Sequence, residues 1–525
     1  MMKLILIFSL ITAVVAGCHS PAAPAEATRM YTDSITPRNI SITSSGSYND
    51  LFLDSNAVTR FITAQHLDDT VANRLISFYN ARNYEFAWLD STGLTEEAAA
   101  FRSLYSYLKD SVHNRELDTR MNALMEEDSL HVSARDPAMV NTELMLTIRL
   151  IQYFREKGGS VAVMEQMVPV SKQTTEQLTE TMMGVDDKLY PAAAAMKPWL
   201  KKYRDIVKNG GWEPVAISRK AYSKGQSSPE IIPLKKRLAI TGELKQMDST
   251  TVFTEELEAA VNTFRNAHGY TQNGVINDTV IRAMNIPAAQ RQQQLLINMQ
   301  RMKWMPAEPE GKLILVNIPA FVLHVTNKGK KVFDMDIVVG KEGHSTTMFS
   351  GKLNMVVFSP YWNIPRSIVR KEILPAMRRN SSYLARRNME ITKVVNGVPR
   401  IRQRPGPRNA LGRVKFLFPN SFNIYFHDTP EKSLFNRDIR AYSHGCIRLR
   451  EPLKMAQFLL EDSPRWTNEK IDSAMNSRKQ QYIPIRPPVP VIITYFTSWA
   501  DDADGLHQVT DVYGHDERMR TKMFL

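Results

Sequence analysis

Six consecutive residues near the C-terminal end, Ser443-His444-Gly445-Cys446-Ile447-Arg448, have the side-chain types that acyl transfer requires. Cys446 is one of two cysteines among 525 residues. In such chemistry a thiolate attacks, an imidazole takes its proton, and backbone N–H groups at a tight Gly turn hold the developing oxyanion. Two imidazoles are near in sequence. His444 adjoins the thiol, and His427 follows Ser421-Phe422-Asn423-Ile424-Tyr425-Phe426, a segment that alternates as a strand does and delivers His427 at its end. Fifteen residues separate His427 from Ser443, room for one strand, a loop and a return. The plainer reading of a free cysteine is a small buried apolar residue. Cys446 lies in a Ser-His-Gly turn rather than an apolar run, which favours chemistry. Two His and one Cys could also ligate zinc, but no fourth ligand is placed and a ligated thiolate is a poorer nucleophile. No metal and no cofactor are expected.

The elements that must position these residues begin at Leu313, where the periodicity becomes that of strands. Leu313 to Pro319, Phe321 to Val325 and Lys330 to Val339 alternate, with Asn327-Lys328-Gly329 as the hairpin between the last two. Met355 to Phe358 and Trp362 to Pro365 are expected to continue the sheet, and Val491 to Phe496 forms a late strand. His324 lies on an alternating strand and reads as structural. Residues 367 to 399 interrupt this pattern with helical spacing and the cations Arg370, Lys371, Arg378, Arg379, Arg386 and Arg387. Solvated helix faces explain most such runs. The sharper alternative is contact with carboxylates, whose geometry Arg matches.

Upstream the pattern is helical. Phe101, Leu104, Tyr105 and Leu108 share one face, with Thr95 as N-cap and Glu96-Glu97 in the first turn. Leu144, Ile148 and Ile151 repeat the spacing, and Gly158-Gly159 is a natural stop. Phe78-Tyr79, Tyr84, Phe86 and Trp88 read as core aromatics. Between about 248 and 287, Phe253, Leu257, Val261 and Phe264 mark one helical face. Gly269 suits a left-handed C-cap, Gly274 a turn, and Asn277 or Asp278 the next N-cap, with Asn277 tolerant of left-handed geometry. Gln290 to Trp304 is a further helix, expected to pack on the C-terminal domain.

The formal charge of +13 implies attraction to polyanions. No basic helix interleaved with aromatics points to nucleic acid, and anionic envelope polymers fit equally well. Met1-Met2-Lys3, the apolar run Leu4 to Ala16 and Val15-Ala16-Gly17-Cys18 look like a bacterial lipoprotein signal, with Cys18 lipidated after cleavage. The run falls short of the roughly 20 residues that span a membrane. Residues 19 to about 50, rich in Ser, Thr, Pro and Ala, read as a disordered tether. An unpaired thiol in an exported protein favours chemistry at Cys446, because structural cysteines there pair.

At His427, Ser443, His444, Gly445, Cys446 and Arg448 the chain resembles the L,D-transpeptidases of bacterial cell walls. Their hallmark is a His, a spacer of similar length, and Ser/Thr-His-Gly-Cys-x-Asn/Arg. The stretch from Arg402 to Phe416, His427-Asp428-Thr429-Pro430, and Phe435, Arg437 and Asp438 resemble the long, multi-domain branch. Smaller members more often carry Gly or Ser where Asp428 stands and Asn where Arg448 stands.

The resemblance implies a multi-domain α+β chain. Its parts are a signal peptide at 1–17, lipidated Cys18 and tether at 18–50, and a helical scaffold at 51–240. A small three-helix peptidoglycan-binding-like module with a connecting helix follows at 241–305. A mainly β catalytic domain occupies 306–517, with its helical lid insertion at 367–399, and a tail closes the chain at 518–525. It implies Cys446 as nucleophile and His427 as general base. It further implies oxyanion donors at Gly445 and Cys446, Ser443 as a positioning group, His444 shaping the turn or binding substrate, and Arg448 as a carboxylate or loop anchor. Asp428 would orient His427 only if a backbone carbonyl does not. The reaction implied is a 3→3 cross-link between peptidoglycan stem peptides, from a tetrapeptide donor to an acceptor amine through a thioester, with loss of D-Ala. Water or another amine as acceptor, and a non-catalytic murein-binding lipoprotein, are the alternatives. The implied partners are peptidoglycan stem peptides and a membrane reached through the lipid, not nucleic acid. The implied place is the cell envelope facing the periplasm, the outer membrane ahead of the inner because His19 follows the lipidated cysteine.

Overall fold

The computed structural model describes residues 35–525 apart from 108–113, 127–130, 157–163, 165–166, 308, 502 and 504. The signal, Cys18 and Gly158-Gly159 lie outside the described residues. Among the described residues no helix is long and apolar enough to cross a membrane.

The N-terminal unit is a helical layer whose core follows the expected faces. Helices Asp69–Ala81, Glu96–Tyr107 and Pro137–Glu156 bury Phe78, Tyr79, Phe101, Leu144 and Ile151 together with Phe86 and Trp88. Thr95 caps the second of these helices, its hydroxyl accepting from Ala98 N–H at 3.2 Å. Trp88 stacks on Phe101 with ring centroids 5.3 Å apart, and its indole N–H donates to Thr147. Three boundaries differ from the expectation. Residues 35–50, read as tether, are packed on this unit: Tyr48 and Asn49 are buried, with the Asn49 amide donating to Leu89 O at 2.8 Å and Asn80 and Asn83 donating to Thr36 O and Ile42 O. Side-chain amides replace the missing apolar periodicity there.

The helix Ala288–Met302 belongs to this core rather than only to the C-terminal domain. Leu295, Leu296, Ile297, Met299 and Met302 are buried in the helical unit. Its polar face donates the other way, Gln294 to Thr497 O and Val509 O and Asn298 to Thr497 Oγ1. Arg301, also on that face, pairs with Glu96 and Asp516. A helix that is buried on both sides shows no clean amphipathic stripe. Likewise the expected tail at 518–525 is mostly helix His515–Met523, whose Met519 and Met523, with Phe524, enter the same core. Gln173 N–H closes it by donating to Met523 O.

The small module has helices Ile231–Thr241, Glu255–Ala267 and Asp278–Met284 around Leu234, Leu238, Phe253, Leu257, Phe264 and Val280. Its core starts at Val215, so the boundary at 240 cut through it. Asn277 is the N-cap, accepting from Val280 N–H in extended geometry (φ −122°) rather than left-handed.

The C-terminal domain is built on strands β1 (Lys312–Asn317), β2 (Val322–Asn327), β3 (Lys330–Gly340), β4 (Phe349–Phe358), β5 (Val414–Leu417), β6 (Phe426–His427), β7 (Ala441–Ser443), β8 (Ile447–Leu449) and β9 (Gln481–Thr494). They form one sheet in the order β7-β3-β8-β6-β5-β4-β9-β1-β2, and β2 also pairs with β3, so the sheet closes on itself. Alternate residues Phe333, Met335, Ile337, Val356, Phe358, Val414, Phe416, Phe426, Ile447 and Leu449 face one core, each worth roughly 1.5–3 kcal/mol when fully buried. His324 is cross-strand bonded to Asp334 at 2.8 Å, a structural role as read. Trp362-Asn363 does not continue this sheet. It pairs with Val398–Gln403, which pairs with Met389–Val395. The insertion is therefore helical only from 366 to 386 and otherwise a three-stranded sheet, with its own small core of Ile364, Val369, Ile373 and Ile401.

Candidate active site

Strand pairing gathers side chains that are far apart in sequence. Lys415 on β5 lies opposite His427 on β6, and His427 lies beside Arg448 on β8. Their neighbours Phe416, Phe426 and Ile447 point into the core, so the alternation of a strand turns Lys415, His427 and Arg448 to the other face. The expected strand over 421–426 is reduced to its last residue plus His427, because Asn420 caps the preceding loop by accepting from Ile424 N–H. Asn423 in that loop is left-handed (φ 56°), and its carbonyl accepts from the Cys446 thiol at 3.6 Å. The Tyr425 N–H and phenol also reach the sulfur.

Cys446 is half-buried and unpaired. Burial pushes its thiol above the ordinary value, while bonds from Tyr425 and the charges of Arg448 and Lys415 act the other way. His427 is 5 % exposed. Burial holds its imidazole down at about 3, helped by the Arg448 and Lys415 charges. Its Nδ1 faces the Asp428 carbonyl. A carbonyl only accepts, so Nδ1 carries the proton and Nε2 is left with a lone pair. At rest the site is thus a neutral thiol with a neutral imidazole, and no hydrogen bond joins the two. Alkylation of Cys446 by iodoacetamide is therefore expected to climb about tenfold per pH unit into the alkaline range, because only the thiolate reacts. A plateau between about pH 5 and 8 would instead reveal a thiolate–imidazolium pair.

The carboxylate of Asp428 does not touch His427. It accepts from Arg413 N–H at 2.9 Å and Thr429 N–H at 2.7 Å and pairs with Lys432 at 2.8 Å, which fixes the backbone carbonyl that His427 uses. A Cβ at Gly412 would lie 2.3 Å from the Asp428 Cγ, so only glycine lets this carboxylate in. Arg448 pairs with Glu431 and keeps a buried Nε without a partner. His444 is exposed, 3.4 Å from Glu372 of the insertion and 5.0 Å, ring to ring, from His344, so it joins the Cys turn to the insertion.

Ser443 Oγ donates to Cys446 O at 2.5 Å and accepts from Gly445 N–H at 3.2 Å. The Gly445 N–H, one of the two donors expected for an oxyanion, is thus turned to Ser443, whereas the Cys446 N–H has no partner among the described residues. Gly445 makes the turn at φ 102°, a region closed to other residues. Among the described residues no group of three or more metal-ligating side chains gathers. Lys415 and Tyr425 were not singled out by the sequence. The alternation Val414-Lys415-Phe416, a cation between two core residues, was the available signal for Lys415.

The family model for the L,D-transpeptidase catalytic domain matches residues 311–473, and a scaffold-domain model matches 73–205. A Haemophilus influenzae protein classed with the L,D-transpeptidases is 32% identical over 243 residues. The match takes in 43% of this chain and 49% of that one, so the chain spans about half the length of this relative. Among solved structures, an L,D-transpeptidase from Mycobacterium smegmatis is 13% identical, covering 35% of this chain and 58% of its own, with a TM-score of 0.20. One from Stackebrandtia nassauensis is 13% identical over 53% of this chain and 97% of its own, with a TM-score of 0.24. The chain carries an L,D-transpeptidase catalytic domain at 311–473, joined to a scaffold domain at 73–205.

Proposed function

We propose that this protein forms 3→3 cross-links in peptidoglycan through a thioester on Cys446. The observation that carries the reading is the juxtaposition of Cys446 with Tyr425, Lys415 and Arg448, and of His427 with Lys415 and Arg448 on neighbouring strands, inside the matched catalytic domain. An exported enzyme has no ATP, so a new amide draws its energy from an existing one. The Cys446 thiol turns from Asn423 O to His427 Nε2, which takes its proton as sulfur attacks the carbonyl of the third stem residue in a donor tetrapeptide. The C–S bond forms, the amide C–N bond breaks, and terminal D-Ala leaves with that proton. The side-chain amine of a third residue on a neighbouring stem then attacks the thioester and returns the thiol. Lys415 and Arg448 favour the thiolate as it develops. Water in place of the amine would give L,D-carboxypeptidase activity, and another amine a different conjugate. Incubation with disaccharide-tetrapeptide, with products resolved by mass spectrometry, tests the reading. A dimer lacking one D-Ala supports it, and the absence of both dimer and tripeptide would favour a non-catalytic murein-binding role.

The motif ending at Cys18 supports a lipid anchor and a place in the cell envelope, facing the periplasm and held by the outer membrane. The lid supports an electrostatic hold on stem-peptide carboxylates. Residues 362–404 contain eleven Lys and Arg against two Glu, so this one segment carries most of the formal excess of +13. Glu390 is taken by Arg402 and Arg404 and Glu372 faces His444. Arg370, Lys371, Arg378, Arg379, Arg386 and Arg387 are exposed outside any ion pair among the described residues. Replacing Arg378, Arg379, Arg386 and Arg387 with Gln is expected to weaken retention on murein sacculi about tenfold at low ionic strength and to flatten its salt dependence. Co-sedimentation across a salt series reads this, and unchanged retention would remove the lid from substrate binding.

A further inference from the structure

Thr346, on the loop between β3 and β4, is 3 % exposed and sits beneath the Cys446 turn. Its hydroxyl donates to Gly445 O at 2.9 Å and accepts from Gly340 N–H at 2.9 Å. Gly445 O and the Cys446 N–H belong to one peptide unit. That unit is trans, since the cis bond among the described residues is Arg486-Pro487, and in a trans unit C=O and N–H point in opposite directions. Holding the carbonyl inward on Thr346 therefore holds the Cys446 N–H outward. We propose that Thr346 is a positioning residue that aims the Cys446 N–H as the oxyanion donor of the site.

Two observations show that this clamp is itself held. The Tyr513 hydroxyl donates to Gly340 O at 2.5 Å and accepts from Thr346 N–H at 3.3 Å, closing a ring of Gly340, Thr346 and Tyr513. Lys341 N–H also donates to Ser443 O at 3.0 Å, so the same loop grips both ends of the turn. Ser443 fixes the flanking units through Gly445 N–H and Cys446 O. Ser443 and Thr346 thus leave the peptide unit between Gly445 and Cys446 with one orientation. The donor is preorganised before charge develops, the condition under which such a group contributes most.

The inference rests on the acyl-transfer reading of Cys446, and its test does not need peptidoglycan. Acylation by p-nitrophenyl acetate passes through an oxyanion. The Cys446 sulfur bonds the acetyl carbon, the C–O bond to p-nitrophenolate breaks, and the thiol proton passes to His427 and then to solvent. Alkylation by iodoacetamide is a direct displacement with no oxyanion. The ratio of the two rates at Cys446 in the purified full chain isolates the donor and cancels any misfolded fraction. For Thr346→Val the ratio should fall about ten- to hundredfold, less than the full loss of an oxyanion donor. Thr346→Ser, which keeps the hydroxyl, should restore it, and Tyr513→Phe should give a smaller fall in the same direction. An unchanged ratio in Thr346→Val, an equal loss in Thr346→Ser, or a wild type not acylated at Cys446 would overturn the proposal.

Discussion

Cys446→Ala is expected to remove transpeptidation altogether, a loss of at least about 10⁴-fold, because the covalent intermediate has no other nucleophile. The turn should survive the change. Its hydrogen bonds run through Ser443, Thr346 and the backbone, and the thiol contributes the long contact to Asn423 O. Stability should therefore shift by no more than about 1 kcal/mol. Cys446→Ser is the sharper control. It keeps a donor for Asn423 O, yet a hydroxyl is far less acidic than a thiol, and a base of such low basicity as His427 leaves it protonated. Product formation by mass spectrometry and a thermal melt read both variants together. Residual activity in Cys446→Ala would move the chemistry elsewhere.

His427→Gln is expected to lower kcat by about 10²–10⁴-fold, the usual contribution of a positioned general base, with KM little changed. The Gln amide can still donate to the Asp428 carbonyl that now holds Nδ1, so the loss is of the Nε2 lone pair. His427→Ala leaves a space in which added imidazole should restore part of the rate, and a melt guards against a merely structural effect. Folding also depends on this residue. The unfolded imidazole takes up protons below about pH 6.5, whereas the folded one stays neutral down to about 3. Its folded value is depressed, so the stability it contributes is present above about pH 6.5 and is lost as pH falls toward 3. A pH profile that keeps full activity in His427→Gln would refute the base assignment.

The candidate site was legible in the sequence at Cys446 and His427 and less so around them. Cys446 and His427 stood out because their types and spacing are local properties of the chain. Lys415 and Thr346 reach the site through strand pairing and loop closure, which a linear pattern does not encode. The strand expected over 421–426 failed for a related reason, since Asn420 and left-handed Asn423 turn the chain there before it can pair. In the fold, strands with clean alternation such as Lys330–Gly340 fell where expected. The helix Ala288–Met302 packs on the C-terminal domain as expected, but its burial in the helical core was not foreseen. Its apolar and amide faces are both buried, and Gln294, Asn298 and Arg301 carry the contact between scaffold and catalytic domain. Polar residues inside an interface look like surface in a sequence.

The central claim is a thioester on Cys446. Mixing the purified protein with disaccharide-tetrapeptide, stopping the reaction with acid within seconds and measuring the intact mass tests it most directly. The account predicts an adduct equal to the donor less its terminal D-Ala, mapped by peptide fragmentation to Cys446, absent in Cys446→Ala and discharged when an acceptor amine is added. Cross-linked dimer formed with no adduct at Cys446, or formed equally by Cys446→Ala, would contradict it.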